Sequence, residues 1–449
     1  MNKTDTICAI STPYGSGGIA VVRVSGPEAI TIVEGLTCPL QDAKGYTIRH
    51  TQLRRGDEVL DEVLVSVFRA PHSFTGEDVV EIACHGSLYI QQEVLRWLTD
   101  AGCRMARAGE FTQRAFLNGK MDLTQAEAVA DLIAAETKAE KELALSQLRG
   151  GISSELAILR DRLLHFTSLI ELELDFADHE ELEFADRSEL RALADEIHNT
   201  LATLTSSFRT GNAIRNGIPV AITGATNAGK STLLNALVGD ERAIVSDIHG
   251  TTRDTVEDTL VIDSVLFRFI DTAGIRETED SIETLGIARS RQAIEKAQIV
   301  LHVKDITTNE DDGLSELLEG KTVITVYNKV DLGTDSSSFS SLTSESGKSS
   351  LFLSAKRGEV EELKRKLVET AGELMTHNGT IISNARHYEA LTRALEAVTR
   401  VQQGLTDGQS GEFLSMDLQD CLTALGEITG QITSQEVLNN IFSKFCIGK

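Results

Sequence analysis

The order of apolar and polar residues divides the chain into stretches of two kinds. Over residues 1–120, short β-branched runs such as "GIAVVRVSG" and "EVLVSVFRA" are bounded by glycine or charge, which predicts strands. "QQEVLRWLTDAG" predicts a helix that ends at a glycine. From residue 121 the chain is rich in Ala, Leu and Glu, and apolar residues recur at the 3-4 spacing of one helix face. That face comprises Leu156, Leu159, Leu163, Phe166 and Ile170.

Strands interleaved with helices return between residues 217 and 376, and helical spacing resumes afterwards. The second helical stripe comprises Leu414, Leu418, Cys421, Leu425 and Ile428. The simplest interpretation is an α/β domain inserted into an all-helical domain whose two halves pack together. We therefore predict a multidomain α/β plus all-α protein, with domains at 1–120, 121–216, 217–376 and 377–449.

Composition narrows the class of protein. The 449 residues are 41% hydrophobic and 25% charged, which is typical of a soluble globular protein, and no apolar run approaches the ~18 residues of a membrane span. The six cysteines lack the spacing of a metal site, which indicates reduced thiols and a cytoplasmic location. A net charge of −25 argues against strong unaided binding to nucleic acid.

The stretch "IPVAITGATNAGKSTLLNAL" contains the pattern G-x-x-x-x-G-K-S between an apolar strand and an apolar-periodic helix, which is the context of a phosphate-binding loop. Gly224 and Gly229 allow the backbone to wrap a phosphate, whose charge the helix N-terminus favours. Lys230 would neutralise the β- and γ-phosphates, and the Ser231 hydroxyl would bind Mg²⁺.

Further GTPase motifs follow in the expected order. "HGTTRD" (249–254) offers a threonine to Mg²⁺, and "DTAG" places Asp271 near a metal-bound water and the Gly274 amide near the γ-phosphate. In "NKVD", the Asp331 carboxylate accepts two hydrogen bonds, as the N1–H and N2–H₂ edge of guanine requires. "SAK" (354–356) offers backbone to the guanine O6. Four motifs in order, each after a strand, predict a GTP site.

One catalytic part is missing. Many GTPases have a glutamine after "DTAG" that orients the attacking water, but here the position holds Ile275. Spacing does not choose among the nearby polar residues, which are Arg253, Arg276, Glu277, Glu279, Asp280 and Glu283. The positive charge of an arginine finger is also unassigned, and a bound monovalent cation would supply it by the same electrostatic principle.

The motifs together resemble one family. "GATNAGKS", "GTTRD", "DTAGIRE" and the terminal "FCIGK" resemble the MnmE (TrmE) family of tRNA-modification GTPases, as do "TPYGSGGIAVVRVSG" and "GEFTQRAFLNGKMDLTQAEA" near the N-terminus. The match covers nearly the whole chain. It implies an N-terminal α+β domain that resembles folate-binding domains, a discontinuous helical domain, and an inserted Ras-like G domain. One departure is Thr226, where the family usually has proline.

The resemblance implies an answer to the missing glutamine. K⁺ would be bound by Asn227, Ser246, Ile248 and Thr251 when two G domains dimerise, and Glu283 would orient the water through a second water molecule. Mg²⁺ would be bound by Ser231 and Thr252. The nucleotide-contacting set implied by motifs and resemblance together is Asn227, Ala228, Gly229, Lys230, Ser231, Thr232, Ser246, Asp247, Ile248, His249, Gly250, Thr251, Thr252, Asp271, Thr272, Ala273, Gly274, Asn328, Lys329, Asp331, Ser354, Ala355 and Lys356.

The resemblance also implies chemistry outside the G domain. A 5,10-methylene- or 5-formyl-tetrahydrofolate would be bound by Arg23, Glu81, Lys120 and Lys449, and Cys446 is a candidate for the same site or for the modification step. The activity implied is that of a homodimeric GTPase. With an FAD-dependent partner resembling MnmG, it would add an aminomethyl-type or carboxymethylaminomethyl group at carbon 5 of the tRNA wobble uridine. The partner would supply most of the tRNA contact.

Two rival interpretations stay open from the residues alone. In the first, the chain is a regulatory GTPase switch of the ribosome-assembly kind, without folate chemistry. In the second, the N-terminal domain is a one-carbon transferase to which the G domain is an accessory. Saturable binding of 5-formyl-tetrahydrofolate discriminates against the first, and the effect of Lys230→Ala on modification tests the second.

Overall fold

The computed structural model describes residues 5–175, 187–239, 258–270, 291–308, 313–332, 350–375 and 380–448. The chain forms two compact units. The first comprises Met1–Ala134, Leu145–Ala194 and Ala397–Lys449, and the second comprises Ala135–Ala144 and Asp195–Glu396. The four domain boundaries expected from the sequence stay a prediction.

The first unit contains a six-stranded sheet near the N-terminus. Its strands are β1 (Ile7–Ile10), β2 (Ala20–Ser25), β3 (Thr47–Arg55), β4 (Glu58–Phe68), β5 (Val79–Cys84) and β6 (Arg104–Met105). They are ordered β3-β4-β5-β2-β1-β6, and every neighbouring pair is antiparallel except β1–β6. The helices α1 (Ala29–Leu36) and α2 (Leu88–Asp100) contribute apolar side chains to a core on one face of this sheet. On the opposite face, α3 (Glu110–Leu117) contributes Phe111 to a smaller apolar cluster.

Long helices make up most of the remaining chain. They are α4 (Leu123–Ala134), α5 (Lys138–Leu148), α6 (Gly151–Asp175), α7 (Arg187–Asn216), α11 (Ala385–Asp407), α12 (Gly411–Thr429) and α13 (Gln435–Phe442). Both predicted apolar stripes are confirmed, since every member of the first is buried in α6 and every member of the second is buried in α12. These two helices pack against each other in the first unit. The two predicted apolar stripes therefore belong to helices that pack against each other, as the helical spacing of their apolar residues indicates.

The second unit contains a second six-stranded sheet. Its strands are β7 (Ile218–Thr223), β8 (Asp258–Ile262), β9 (Val265–Phe269), β10 (Ile299–Asp305), β11 (Thr322–Asn328) and β12 (Ser350–Phe352). The order is β12-β11-β10-β7-β9-β8, and only β8–β9 is antiparallel. The associated helices are α8 (Lys230–Val238), α9 (Ser315–Leu318) and α10 (Glu361–Met375). Apolar clusters cover both faces, as a parallel sheet requires.

The parallel strands decide where the candidate chemistry meets. β7, β10, β11 and β12 run in the same direction, so the loops that follow them emerge at one edge of the sheet. The loops after β7, β11 and β12 carry the phosphate-binding, "NKVD" and "SAK" motifs respectively. Within the described ranges, no helix is both long enough and apolar enough to cross a bilayer.

Candidate functional site

The phosphate-binding loop connects β7 to α8 and depends on two glycines. Gly224 and Gly229 have φ values of 140° and 94°, a region that residues with a Cβ rarely adopt. A Cβ at Gly224 would overlap the carbonyl oxygen of Val303, and one at Gly229 would overlap the amide of Asn328. The loop therefore needs glycine at both positions for two separate reasons, its backbone conformation and its close packing.

Lys230 begins α8, and its side chain folds back over this loop. The Lys230 Nζ donates hydrogen bonds to the carbonyl oxygens of Gly224 and Ala225, both at 2.8 Å. Asn227 lies at the loop tip with φ 65°, which asparagine tolerates better than most residues, and its side chain is exposed. Ser231 and Thr232, in the first turn of α8, are half-buried and exposed respectively.

Asn328 joins the phosphate-binding loop to the "SAK" motif. Its side chain is 2% exposed, and its Nδ2 donates to the carbonyl oxygen of Ala228 at 2.9 Å. Its Oδ1 accepts a hydrogen bond of 3.0 Å from the backbone N–H of Ala355. One buried amide thus connects two loops that lie 127 residues apart in the chain (355 − 228). The "NKVD" motif predicts that Asn328 lies in the site, but it does not predict this bridging contact.

Two further contacts shape the region expected to bind guanine. Lys329, at φ 66°, donates from Nζ to Asp305 Oδ2 at 2.7 Å. Burial raises the pKa of Asp305, but hydrogen bonds from Lys329 and Thr307 outweigh this effect and hold the pKa below its usual value. Asp305 is not among the site residues predicted from the sequence. The available signal is its position as an acidic residue at the carboxyl end of the buried strand β10, since the site lies at that edge of the sheet.

The Asp331 carboxylate accepts a hydrogen bond from the Ser354 hydroxyl at 2.6 Å. This bond lowers the pKa of Asp331, so the carboxylate is ionised at neutral pH. Ser354 and Ala355 are buried, whereas Lys356 is exposed. The structure therefore brings the "NKVD" and "SAK" residues together at one end of the sheet, beside the phosphate-binding loop.

Several predicted site residues lie outside the described residues. They are Ser246, Asp247, Ile248, His249, Gly250, Thr251, Thr252, Asp271, Thr272, Ala273, Gly274, Glu283 and Lys449. Their assignments to K⁺, Mg²⁺, the γ-phosphate, the attacking water and folate stay predictions. In the ranges that the structure covers, no group of three or more His, Cys, Asp and Glu side chains could hold a metal ion.

In the first unit, Arg23 and Glu81 face each other across β2 and β5. The Arg23 Nε donates to Glu81 Oε1 at 2.9 Å, and Arg23 Nη2 lies 2.8 Å from the same oxygen. The guanidinium carbon also lies 5.5 Å and 5.6 Å from the ring centroids of Phe74 and Phe111. Both charged side chains stay partly exposed, at 16% and 27%. The predicted pair is thus an ion pair on a sheet face lined with aromatic rings.

The chain's C-terminal residues pack against the N-terminal sheet. Ile447 forms an antiparallel bridge with Ala108, and the Gly109 N–H donates to the Cys446 carbonyl at 3.4 Å. Cys446 itself is exposed. Lys120, also predicted to bind folate, donates from Nζ to the Pro71 carbonyl at 2.9 Å.

Comparisons with known proteins agree with this arrangement. The family model "MnmE helical domain" matches residues 123–446, and "GTP-binding protein TrmE N-terminus" matches residues 6–120. The tRNA modification GTPase MnmE of Parabacteroides distasonis is 56% identical over 460 residues, covering 99% of this chain and 100% of that protein. The protein of the same name from Bacteroides fragilis is 55% identical over 468 residues, covering 100% of both.

Among solved structures, the G domain of the T. maritima FeoB iron transporter is 29% identical. That comparison covers 34% of this chain and 98% of that chain, with a TM-score of 0.26. The assignment therefore depends on the two family models and the full-length relatives. The chain belongs to the MnmE family of tRNA-modification GTPases.

Proposed function

We propose that this chain hydrolyses GTP and uses the hydrolysis to drive modification of the wobble uridine of tRNA. The observation that carries the proposal is the Asn328 bridge, which connects the phosphate-binding loop to the loop beside Asp331. Phosphate and base sites are useful only when they are held at one fixed separation. A buried amide that bonds to both loops provides this separation.

The described residues fit Mg²⁺-GTP. Asp331 is ionised and exposed enough to accept two hydrogen bonds from guanine, which adenine does not offer. The Lys230 ammonium lies within the phosphate-binding loop, and Ser231 follows it with a hydroxyl suited to Mg²⁺. Mg²⁺ would neutralise charge on the phosphates, and Thr252 would be its second protein ligand.

We propose that K⁺ replaces the arginine finger and that Glu283 replaces the missing glutamine. Asn227 supports the K⁺ proposal because its carboxamide is exposed at the tip of the phosphate-binding loop. Ser246, Ile248 and Thr251 would supply the other oxygens. Positive potential at that position would stabilise the charge that develops on the phosphates during hydrolysis.

GTP turnover in K⁺ and in Na⁺ buffers tests this mechanism. We expect turnover to be faster in K⁺, and we expect Asn227→Ala to remove the difference between the two salts. Glu283→Ala should lower the turnover number in both. A matched control is Thr226→Ala, which alters the neighbouring side chain without removing a proposed ligand. Equal turnover in both salts, unchanged by Asn227→Ala, would show that the K⁺ assignment is wrong.

We propose that the Arg23–Glu81 pair binds a tetrahydrofolate that donates the one-carbon unit. Among the described residues, Arg23 Nη1 and Glu81 Oε2 have no hydrogen-bond partner, so each group retains capacity to bind a polar ligand. The partly exposed Phe74 ring beside the guanidinium offers apolar surface to a fused ring, whereas Phe111 is fully buried beneath it. Lys120, Lys449 and Cys446 would complete the site.

Calorimetric titration with 5-formyl-tetrahydrofolate tests the folate proposal. We expect saturable binding by the wild-type chain and at least a tenfold weaker affinity for Arg23→Ala, because charge-assisted hydrogen bonds contribute about 1.5–3 kcal/mol each. Arg49→Ala, which changes an arginine of the edge strand β3 on the same sheet, is the control. Absence of saturable binding would instead support a regulatory GTPase without folate chemistry.

We propose that the chain acts in the cytoplasm as a homodimer with an FAD-dependent partner resembling MnmG. The product would be an aminomethyl-type or carboxymethylaminomethyl group at carbon 5 of the uridine. We further propose that the domains lie at 1–120, 121–216, 217–376 and 377–449. The net charge of −25 supports a division of labour in which the partner makes most of the tRNA contact. Tight tRNA binding by this chain alone, with a steep salt dependence, would contradict that division.

A further inference from the structure

A solvent-exposed histidine at the end of β5 is held by a buried carboxylate. The His85 Nδ1 lies 2.7 Å from Asp61 Oδ1, and the His85 backbone N–H donates to Asp61 Oδ2 at 2.8 Å. The Asp61 side chain is 8% exposed, whereas the His85 side chain is 69% exposed. The ring is therefore fixed at one nitrogen, while Nε2 has no partner among the described residues.

The carboxylate determines which ring nitrogen can accept a proton. An ionised carboxylate only accepts hydrogen bonds, so His85 Nδ1 carries the hydrogen of the neutral ring. Nε2 then presents its lone pair to solvent. An imidazole oriented in this way accepts a proton at Nε2.

The surroundings keep Nε2 accessible. A glycine-rich loop after β1 packs beside residue 85, since the Gly17 N–H donates to the Gly86 carbonyl at 3.0 Å and Gln91 Nε2 donates to the Gly15 carbonyl at 3.0 Å. A Cβ at Gly86 would overlap the backbone of Gly17. The His85 side chain is itself 69% exposed, so Nε2 is accessible to solvent.

Few titratable groups adjoin the pair. Glu62 follows Asp61 on β4, Cys84 precedes His85 on β5, and the neighbouring loop and the first turn of α2 contribute Tyr14 and Tyr89. Burial and the Asp61 charge raise the pKa of the Cys84 thiol to about 11, so it is neutral at physiological pH. The loop at 11–19 and the first turn of α2 contribute no charged side chain.

Two simpler roles do not account for the ring. A metal site is disfavoured, because the part of the chain that the structure covers holds no cluster of three potential ligands. A purely structural role requires only the backbone N–H of residue 85, which any residue except proline provides to Asp61 Oδ2. The exposed imidazole adds little packing, so its fixed orientation points to chemistry at Nε2.

We propose that His85, positioned by Asp61, is the general base that deprotonates the amine entering the modified uridine. This inference depends on the proposed function, because an aminomethyl-type product requires an amine nucleophile. Ammonium and primary amines are protonated at neutral pH and cannot attack carbon in that form. An N–H bond of the protonated amine breaks as the Nε2–H bond forms, and the nitrogen keeps the electron pair and becomes a neutral amine. The imidazolium later returns the proton to solvent, so the step needs no oxidant or reductant.

The test compares His85→Gln with wild type in a complete modification reaction. The reaction contains the chain's own flavoprotein partner, tRNA, GTP, K⁺, tetrahydrofolate, and either ammonium chloride or glycine. The rate of nucleoside formation is measured by mass spectrometry as a function of pH. We expect a loss of about 10²- to 10⁴-fold, the usual contribution of a general base. GTP turnover and 5-formyl-tetrahydrofolate affinity should be unchanged.

His50→Gln is the matched control. His50 lies on the same sheet and is 67% exposed, but its Nε2 is 3.7 Å from a Glu62 carboxylate that is itself 61% exposed, so its ring is not fixed. We expect this variant to modify tRNA at the wild-type rate. Asp61→Asn should slow modification and change the pH dependence of the modification rate. The reason is that an amide can stabilise the tautomer in which Nε2, not Nδ1, carries the hydrogen.

His85→Gly with added imidazole separates a catalytic role from a structural one. Recovery of modification with imidazole would support the general base, whereas a lowered melting temperature without recovery would overturn it. Modification by His85→Gln at the wild-type rate would also overturn it while leaving the proposed function intact. A wild-type chain that hydrolyses GTP but never modifies the uridine would refute the proposed function, and this inference with it.

Discussion

Replacing Asn328 by alanine should uncouple the two halves of the nucleotide site. The substitution removes the amide that donates to the Ala228 carbonyl and accepts from the Ala355 N–H. All three residues are buried, at 2%, 0% and 4% exposure, so neither backbone group gains free access to water. The Ala228 carbonyl and the Ala355 N–H would therefore both lose their hydrogen-bond partner while they stay buried.

The expected magnitude follows from those two groups. A buried donor or acceptor left without a partner costs about 1–3 kcal/mol, so Asn328→Ala should destabilise the folded second unit by about 2–6 kcal/mol. Nucleotide binding also requires both loops to be held in place. Since about 1.4 kcal/mol corresponds to a factor of ten, we expect GDP affinity to fall at least tenfold.

Scanning calorimetry of the full chain and titration with a fluorescent GDP analogue measure these two effects. Asn328→Asp refines the test, because its carboxylate still accepts from Ala355 but places an oxygen against the Ala228 carbonyl, so we expect at least as large a loss. Asn235→Ala, an exposed asparagine on α8, is the control and should change stability by no more than about 0.5 kcal/mol. If Asn328→Ala melts and binds GDP as Asn235→Ala does, the bridge is not what holds the site together.

Three further predictions test other parts of the chain. Asp331→Asn should lower GTP affinity about 10- to 100-fold, because the amide N–H₂ meets guanine donors, and should improve binding of xanthosine triphosphate, measured by competition. Burial raises the pKa of Glu110, but hydrogen bonds from Arg104 and the Arg107 N–H hold it below its usual 4.5. Its stabilising contribution is therefore complete above pH 4.5 and is lost as pH falls through the lowered value, so Glu110→Gln should weaken the pH dependence of unfolding below pH 4.5. Gly448→Val would place a Cβ against the Ile10 carbonyl and should release the C-terminal residues, seen as faster hydrogen exchange at residues 446–448.

Local signals in the sequence were enough to predict the main elements. The glycines of the phosphate-binding loop and the apolar stripes of α6 and α12 each lie within a few turns of chain, so their spacing reports the conformation directly. The break between helices α4 and α5 at residues 135–137 was not predicted. Its signal was present as the pair Thr137 and Glu140, which bond to each other's backbone N–H as in a capping box.

Contacts between distant segments could not be predicted in the same way. Arg23 and Glu81 were both predicted to bind folate, but their direct ion pair depends on the register of β2 against β5. The Asp61–His85 pair likewise depends on how β5 ends beside the first residues of β4. Strand register is decided by the packing of the whole sheet, so a pattern along one strand does not reveal it.

By itself, the sequence determined the types of helix and strand, the order of the GTPase motifs and the family, because each is encoded by residues that are close together in the chain. Only the tertiary structure decided that Asn328 connects two loops, that Asp305 holds Lys329, and that the C-terminal residues pack against β1. These contacts depend on side-chain directions set by the complete hydrophobic core. Spacing along the chain carries no information about them.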